Sequence, residues 1–394
     1  MTGAALRELG ELFGEELAPV LRRLGERPRG AGADARPDEE DAATRAAVWA
    51  TLAELGAFAP QPQPDLVAAA ELMGAALYQS PYPDTVTAAD LLAALGDARL
   101  DPVREAIARG ACPVALAVRE DGLGTPARPG PLTVHGEPGA HTVDGRRDFV
   151  AFAADCAHLL VLATVAGQTV LALVPVDQPG VRLRRRDDIG RGDLYEVLLE
   201  GAAVAGDVHP VGAVFPGVLA RARIRQAGAL AGASRGAVEL AAERLKSRRA
   251  FGKPLAQHQA PAYRLAALAA ETATVAAFAR AGAEAAERGE DVRRTGAQAL
   301  YLAGELARRA AAESVHLHGA YGMTEACDAQ LFHRRAAVDA QWLGTGTELL
   351  REAAELLAAA HTPAPQAAAH AAAAPPAAGP AGVAAAGAAT PTNR

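Results

Sequence analysis

Two long helical stretches meet at Arg248-Arg-Ala-Phe-Gly-Lys-Pro-Leu-Ala-Gln-His-Gln259. Arg248 offers a forked cation that suits a pyrophosphate, and Phe251 offers a rigid apolar face for a ring. Gly252 lets the backbone turn between the helices. The same residues also suit an ordinary helix end, where basic side chains complement the helix dipole and Gly and Pro stop the helix. Taken alone, the stretch is compatible with either interpretation.

A second distinctive stretch, Val315-His-Leu-His-Gly-Ala-Tyr-Gly-Met-Thr-Glu325, follows about 65 residues later and precedes Arg334-Arg-Ala336. Its His316 and His318 form an H-x-H pattern near Cys327, which raises the question of a metal ion. Residues two apart on a helix face different directions, and no carboxylate pair completes a ligand set. We therefore predict no metal site.

The hydrophobic pattern is helical at both ends of the chain and strand-like in the middle. Apolar residues recur every three or four positions to about residue 109, beginning with a helix near 6–17, and Thr85 or Thr87 is expected to cap a helix that runs through Leu95. Short apolar runs predict a small antiparallel module with strands at 114–118, 159–163, 169–174 and 195–199, and Asp144-Gly145 is expected to be one of its turns. Ala-rich amphipathic stretches predict helices over 220–249, 260–289, 295–318, 326–343 and 348–360.

These patterns predict three domains and a tail. The first domain is helical and covers 1–111, the second is a β domain over 112–216, and the third is a helical bundle over 217–361. Residues 362–394 are Ala, Pro, Gly and His with almost no large apolar group. Such a segment cannot bury enough surface to offset its ordering entropy, so we predict a disordered tail.

Composition excludes several classes of protein. The 394 residues are 50% hydrophobic and 22% charged, and the net charge of −7 argues against nucleic acid or an anionic membrane as a partner. No window holds about 18 uninterrupted apolar residues, and Arg7 and Glu8 interrupt the region where a secretory signal would be apolar. The three scattered cysteines form no CxxC pair, which favours a reduced cytoplasm.

Together, the two quoted stretches resemble the acyl-CoA dehydrogenase family of flavoproteins, whose pattern reads Arg-x-x-Phe-Gly-x-x-Leu-x-x-x-Gln and then Gln-x-x-Gly-Gly-x-Gly. The segment Glu71-Leu-Met-Gly-Ala-Ala-Leu-Tyr-Gln-Ser-Pro-Tyr-Pro83 looks like the actinobacterial steroid-degrading branch of that family. The resemblance covers about residues 1–360. It implies an α+β, mainly α fold with an N-terminal helical domain, a middle β-barrel domain and a C-terminal four-helix bundle.

The resemblance also implies the cofactor FAD, bound by the bundle largely across a subunit interface. The residues expected to contact it in the first stretch are Arg248, Phe251, Leu255 and His258. In the second stretch, His316 takes the place of a glutamine that contacts the adenosine part of FAD, and Gly319 opens the glycine step. Ala320 stands where a second glycine is usual, and its methyl group would crowd a ligand.

Thr347 and Glu348 occupy positions where family members meet the FAD of the neighbouring subunit. They also suit a helix start, with Thr347 as the N-cap and Glu348 in the first turn. The sequence supports the two interpretations about equally.

The family's catalytic base is missing. The reaction removes a proton from the carbon alpha to a thioester, which requires a positioned carboxylate. In Gln341-Trp-Leu-Gly-Thr-Gly-Thr-Glu-Leu-Leu-Arg351 the expected base position falls at Leu343, Gly344 or Thr345, depending on the anchor used for alignment. A minority of the family carries its base on an earlier helix, but the matching Ala220-Arg-Ala-Arg-Ile-Arg-Gln-Ala-Gly228 holds three arginines and no carboxylate.

The β module departs from the family as well. The family's Thr-Glu-Pro-x-Ala-Gly-Ser-Asp strand would fall near Ala117-Val-Arg-Glu-Asp-Gly-Leu-Gly124, and its Trp-Ile-Thr-Asn stretch near Phe149-Val-Ala-Phe-Ala153. The strand skeleton is recognisable, whereas the polar groups that would face the flavin are absent.

Three hypotheses follow. The first is an active FAD-dependent acyl-thioester dehydrogenase whose base lies elsewhere, with an electron-transfer flavoprotein as a partner. The second is a catalytically inactive partner subunit of a heteromeric acyl-CoA dehydrogenase. The third is a free-standing acyl-thioester binding protein. Each leaves open the acyl group, the carrier (coenzyme A or acyl carrier protein), and a homo- or hetero-oligomer.

Overall fold

The computed structural model describes residues 39–119, 127, 129–190 and 192–361. Within these residues, four helices precede eight strands, and five helices follow, with a short hairpin between the first two of the five. The order of helices, sheets and helices confirms the expected fold class. The predicted helix over 6–17 and the predicted tail over 362–394 lie outside the described residues.

The first helical region contains α1 (Glu39–Glu54), α2 (Gln63–Ala75), α3 (Tyr82–Leu95) and α4 (Asp101–Ala108). Phe58 packs between α1 and α3. Its ring centroid lies 4.4 Å from that of Trp49 in α1 and 5.4 Å from that of Tyr82 in α3.

The prediction that Thr85 or Thr87 caps α3 was wrong. The helix begins directly after Pro81, so both threonines lie inside it. Pro83 lies in the first turn, which suits proline because its φ is already fixed near the helical value.

The middle region forms two four-stranded sheets that face each other across one apolar core. The first sheet has the order β1 (Val114–Ala117), β4 (His158–Val165), β5 (Gln168–Pro175) and β8 (His209–Pro210). The second has the order β2 (Thr133–His135), β3 (Thr142–Ala151), β7 (Leu194–Ala203) and β6 (Val181–Arg186). Neighbouring strands are antiparallel except β1 and β4, which are parallel, so the expectation of a purely antiparallel module was wrong at that pair.

Charged residues hide two strands, β3 and β6, from the hydrophobic pattern. Asp144-Gly145 does not form the predicted turn, because it lies inside β3, where the register with β7 shifts at a bulge. Strand β6 reads VRLRRR, and its Arg184 and Arg186 approach Glu196 of β7 at 3.4 and 3.0 Å. Strand β6 therefore carries cross-strand ion pairs, whereas the prediction of strands relied on alternating apolar residues.

Side chains of α3 close the free edge of β1. The Val114 N–H donates to Thr85 Oγ1 at 3.0 Å, and the Leu116 N–H donates to Asp84 Oδ2 at 3.0 Å. A buried strand edge would otherwise leave both donors unpaired, at a cost of about 1–3 kcal/mol each. These two bonds therefore fix α3 against the β module.

The last region contains α5 (Phe215–Ser247), α6 (Gln259–Glu287), α7 (Arg293–His318), α8 (Asp328–Asp339) and α9 (Gly346–His361). The predicted helices agree closely with these, although α8 ends four residues before the predicted 343. Thr345, rather than Thr347, caps α9: its Oγ1 accepts the Glu348 N–H at 3.4 Å, while Glu348 Oε2 accepts the Thr345 N–H at 2.9 Å. In the described ranges, no helix combines the length and apolar character needed to cross a membrane.

Helices α2 and α5 touch backbone to backbone. A Cβ added at Gly74 would lie 1.8 Å from the carbonyl oxygen of Ala229, and one at Gly232 would lie 2.0 Å from that of Glu71. Both distances are far below van der Waals contact, so only glycine fits. The two glycines therefore set the spacing between the first helical region and the bundle.

Candidate functional site

A cavity of about 140 Å³ lies where the three regions meet. Helices α2 and α3 and the loop between them form one wall, the β module a second, and α5 with residues 335–343 the third. Its apolar lining includes Leu66, Met73, Phe152, Leu230, Trp342 and Leu343. An apolar cavity at a junction of domains is the usual form of a small-molecule site.

The expected base positions hold no carboxylate. Leu343 is buried and lines the cavity, Gly344 has φ +139°, and Thr345 caps α9. Arg223 from α5 holds this segment, because its Nε donates to the Leu343 carbonyl at 3.0 Å and its guanidinium pairs with Glu352 at 2.8 Å. The loop is thus firmly anchored, and its three expected base positions offer no proton acceptor.

A carboxylate does occur in the cavity wall, at Asp84 of α3. Burial raises its pKa to about 6, although hydrogen bonds from the Leu116 N–H and from the side chain of Trp342 oppose that shift. The sequence gives Asp84 only the role of a first-turn helix acid. Its burial results from the packing of α3 on β1, which no local sequence pattern encodes.

A narrow groove separates the end of β1 from the segment before α9, on the face where the resemblance places the flavin ring. Its free volume is about 20 Å³, room for about one water molecule. Arg119 spans it, and its guanidinium donates to the Trp342 carbonyl at 2.8 Å and to the Gln341 carbonyl. Burial lowers the pKa of Arg119, while the carboxylate of Glu348 opposes that shift. Phe149 borders the groove with φ +56°.

The first of the two stretches, residues 248–259, forms a loop at the end of α5 that internal hydrogen bonds hold in place. The Leu255 N–H donates to the Arg248 carbonyl at 2.8 Å, and a ring nitrogen of His258 lies 3.1 Å from the Ala250 carbonyl. Phe251 sits at the tip with φ +48°, and 96% of its surface is exposed. The four residues predicted here thus come together, with a large apolar ring held out into solvent.

The second predicted stretch lies beside that loop. Helix α7 ends at His318, and Gly319 follows with φ +66°, while His316 is exposed. The guanidinium carbon of Arg244, in the last turn of α5, lies 6.0 Å from the ring centroid of Tyr321. His318 points elsewhere, with its Nδ1 2.7 Å from the Ser314 carbonyl. Groups of three or more potential metal ligands are absent from the described residues.

The surface loop and the groove differ in how well they fit FAD. The loop at 248–258 and the residues near 316–321 offer cationic, aromatic and backbone groups at the surface, as an outer cofactor contact requires. The groove is different, because a three-ring flavin cannot enter a space of about 20 Å³ that Arg119 already crosses. The chain's own residues therefore fit the outer part of FAD and do not fit its ring at this groove.

Comparison with known proteins agrees with this architecture. Residues 213–358 match the model for the C-terminal domain of acyl-CoA dehydrogenases. A steroid ACAD variant described as Tcur3481-Tcur3483 is 25% identical, with a TM-score of 0.76 over 91% of this chain and 99% of that one. The ChsE4-ChsE5 complex of Mycobacterium tuberculosis is 23% identical, with a TM-score of 0.74 over 92% and 99%. The fold is thus that of the acyl-CoA dehydrogenases.

Two curated proteins match over shorter lengths. Acyl-CoA dehydrogenase IpdE2 of Mycobacterium tuberculosis is 35% identical over 136 residues, 34% of this chain and 41% of that protein. A 3-(aryl)acrylate reductase of Clostridium sporogenes is 25% identical over 251 residues, 60% of this chain and 66% of that protein. The chain therefore spans less than two thirds of either curated relative. The match at residues 213–358 and the similar structures confirm the resemblance to the acyl-CoA dehydrogenases, including the steroid-degrading branch.

Proposed function

We propose that this chain is the non-catalytic, FAD-sharing subunit of a heteromeric acyl-CoA dehydrogenase. The complex would be an oxidoreductase of lipid metabolism that introduces a double bond between the α and β carbons of an acyl thioester. The observation that carries the proposal is that the expected base positions, Leu343, Gly344 and Thr345, hold no carboxylate while Arg119 crosses the neighbouring groove where the flavin ring is expected. A subunit that removed the proton itself would need a carboxylate at the first place and open space at the second.

The chain's contribution is the protruding loop. When bound, FAD supplies the hydride acceptor of the reaction. Arg248 offers a forked cation for its pyrophosphate, and Phe251 covers apolar cofactor or partner surface. The Ala250 carbonyl orients His258 for a hydrogen bond. The other residues that we propose as FAD contacts are Leu255, His316, Gly319, Thr347 and Glu348.

The similar structures support a partner. The ChsE4-ChsE5 and Tcur3481-Tcur3483 structures are each described with two different chains. A similar structure of an electron transferring flavoprotein of Acidaminococcus fermentans is 18% identical, which shows the shared fold alone. A glutaryl-CoA dehydrogenase of Mycobacterium smegmatis, 16% identical, is described in complex with FADH2. In the proposed complex, an electron-transfer flavoprotein would reoxidise the shared flavin, and the cytoplasm is the expected location.

The first prediction concerns flavin content. The full chain purified alone is expected to be colourless, and co-expression with the acyl-CoA dehydrogenase homologue encoded beside it is expected to give a yellow complex with about one FAD per pair. The measurement is the visible absorbance spectrum together with the mass of the complex. One tightly bound FAD per lone chain would overturn the proposal.

Asp84 favours a second candidate, the active dehydrogenase. Its carboxyl lines the cavity within hydrogen-bond reach of Trp342, the residue next to the expected base position. If the lone chain bound FAD and oxidised an acyl-CoA, Asp84 would be the proton acceptor to change first. A chain that binds acyl-CoA but acquires neither FAD nor the homologous chain on co-expression would instead support the free-standing binding protein.

A further inference from the structure

The cavity at the junction keeps a ligand-sized space although the base is absent. We propose that this cavity binds a ring-sized apolar acyl group, one six-membered ring or a branched group of similar bulk, and excludes a fused steroid nucleus. This inference rests on the proposed function, because that function identifies the ligand as an acyl thioester. It adds the size and polarity of the acyl group.

Volume gives the size limit. An enclosed apolar cavity of about 150 Å³ binds benzene. The space inside the cavity here measures about 140 Å³ and opens to solvent, so it can surround one ring or its equivalent, and the rest of a four-ring nucleus would have to lie outside. The carrier must remain outside, because the acyl group alone fills the space.

The polarity of the ligand follows from the charged groups of the wall, which already have partners within the protein. Arg225 donates to Asp90 at 2.8 Å and to Gln63 at 2.9 Å. Arg335 pairs with Asp339 at 3.1 Å, and Asp84 accepts the Leu116 N–H. Because these charges are engaged with protein partners, a charged acyl group would have to break such a pair, whereas an apolar one leaves all of them intact.

The backbone contact between α2 and α5 prevents these two helices from moving to enlarge the cavity. Gly74 and Ala229 both line the cavity, and they belong to the backbone contact between α2 and α5. The wall formed by these helices cannot move inward, and moving outward would separate packed backbones. A larger ligand would therefore have to displace α3 or the segment that contains Trp342.

Calorimetric titration of the full chain, purified without its partner, tests the inference. The ligands are 3-phenylpropionyl-CoA, the CoA thioester of cholic acid, palmitoyl-CoA and free CoA. We expect 3-phenylpropionyl-CoA to bind at least tenfold more tightly than each of the other three. Equal or tighter binding of the steroid thioester, or of free CoA, would overturn the inference.

Variants that fill the cavity provide a second test of the inference. Ala233→Leu and Ala70→Leu each add a branched side chain to the lining, and each should weaken binding of 3-phenylpropionyl-CoA at least tenfold. Ala242→Leu, the same change on a half-buried position of α5 outside the lining, should leave binding unchanged. Thermal unfolding checks that all three variants fold. Full affinity in both folded filling variants would overturn the inference, whatever the flavin measurement shows, because that measurement reports on the partner and not on acyl size.

Discussion

At the scale of single residues, two features carry the proposal of a non-catalytic subunit. The first is that the expected base positions, Leu343, Gly344 and Thr345, hold no carboxylate, and the second is that Arg119 places a cation across the neighbouring groove. The sequence predicts the first feature without fixing one base position, because different anchors give three alignments. It does not predict the second, because reaching Trp342 depends on how β1 faces the segment before α9.

Arg119→Ala should open the groove and destabilise the chain. The substitution leaves the carbonyls of Gln341 and Trp342 without their donor, which we expect to lower the free energy of unfolding by about 1–3 kcal/mol. The lone variant should also take up measurably more FAD than the unchanged chain, as read from absorbance after dialysis against the cofactor. Arg119→Lys keeps the charge and serves as the control. No gain of flavin in a folded Arg119→Ala variant would show that Arg119 does not close the site.

Asp84 should make stability depend on pH. Its pKa is raised to about 6 from 3.8, so its protonation stabilises the fold at low pH, and this contribution is lost as the pH rises through 6. The loss between pH 5 and 8 should be about 1–2 kcal/mol. Asp84→Asn cannot ionise and keeps an acceptor for the Leu116 N–H, so its unfolding free energy should fall less over that interval. Urea unfolding at both pH values measures the difference, and Asp101→Asn, a partly exposed carboxylate of α4, is the control. Parallel pH profiles for Asp84→Asn and the unchanged chain would refute the raised pKa.

At the scale of secondary structure, prediction succeeds where one face of an element is apolar and fails where contacts with another element decide. The bundle helices follow the 3.6-residue period closely because each packs one stripe on its neighbours. Strands β3 and β6 escape detection because their outward residues are arginines paired with Glu196 and other acids of β7. Thr85 is mistaken for a helix cap because its hydroxyl accepts a hydrogen bond from the Val114 N–H, 29 residues away.

The loop between α5 and α6 should matter to assembly and little to folding. Because 96% of Phe251 is exposed, Phe251→Ser should change the unfolding free energy of the lone chain by less than about 0.5 kcal/mol. The same change should lower the yield of complex and its flavin content when the partner is co-expressed. Ile189→Ser, an exposed apolar residue of the β module, is the control. Undiminished assembly of Phe251→Ser would remove this loop from the proposed interface.

At the scale of the whole molecule, the sequence predicts the order of regions and the structure adds the junction between them. The cavity draws its walls from all three regions, so no single stretch reveals it. The residues expected to touch FAD lie at the surface of the bundle, whereas the cavity lies inside the chain. In the proposed complex, this arrangement would separate two tasks: the surface would complete a cofactor site with a partner, and the interior would hold an apolar group.

The glycine contact between α2 and α5 also limits how this protein can evolve. A single substitution at Gly74 or Gly232 would push two helices apart, so gradual enlargement of the cavity from that side has no viable first step. New ligand preferences can arise one mutation at a time at side chains such as Ala70, Ala233 or Trp342, which face the cavity without holding the two helices together. Selection for a different ligand should therefore leave the glycines unchanged while these cavity-facing positions diversify.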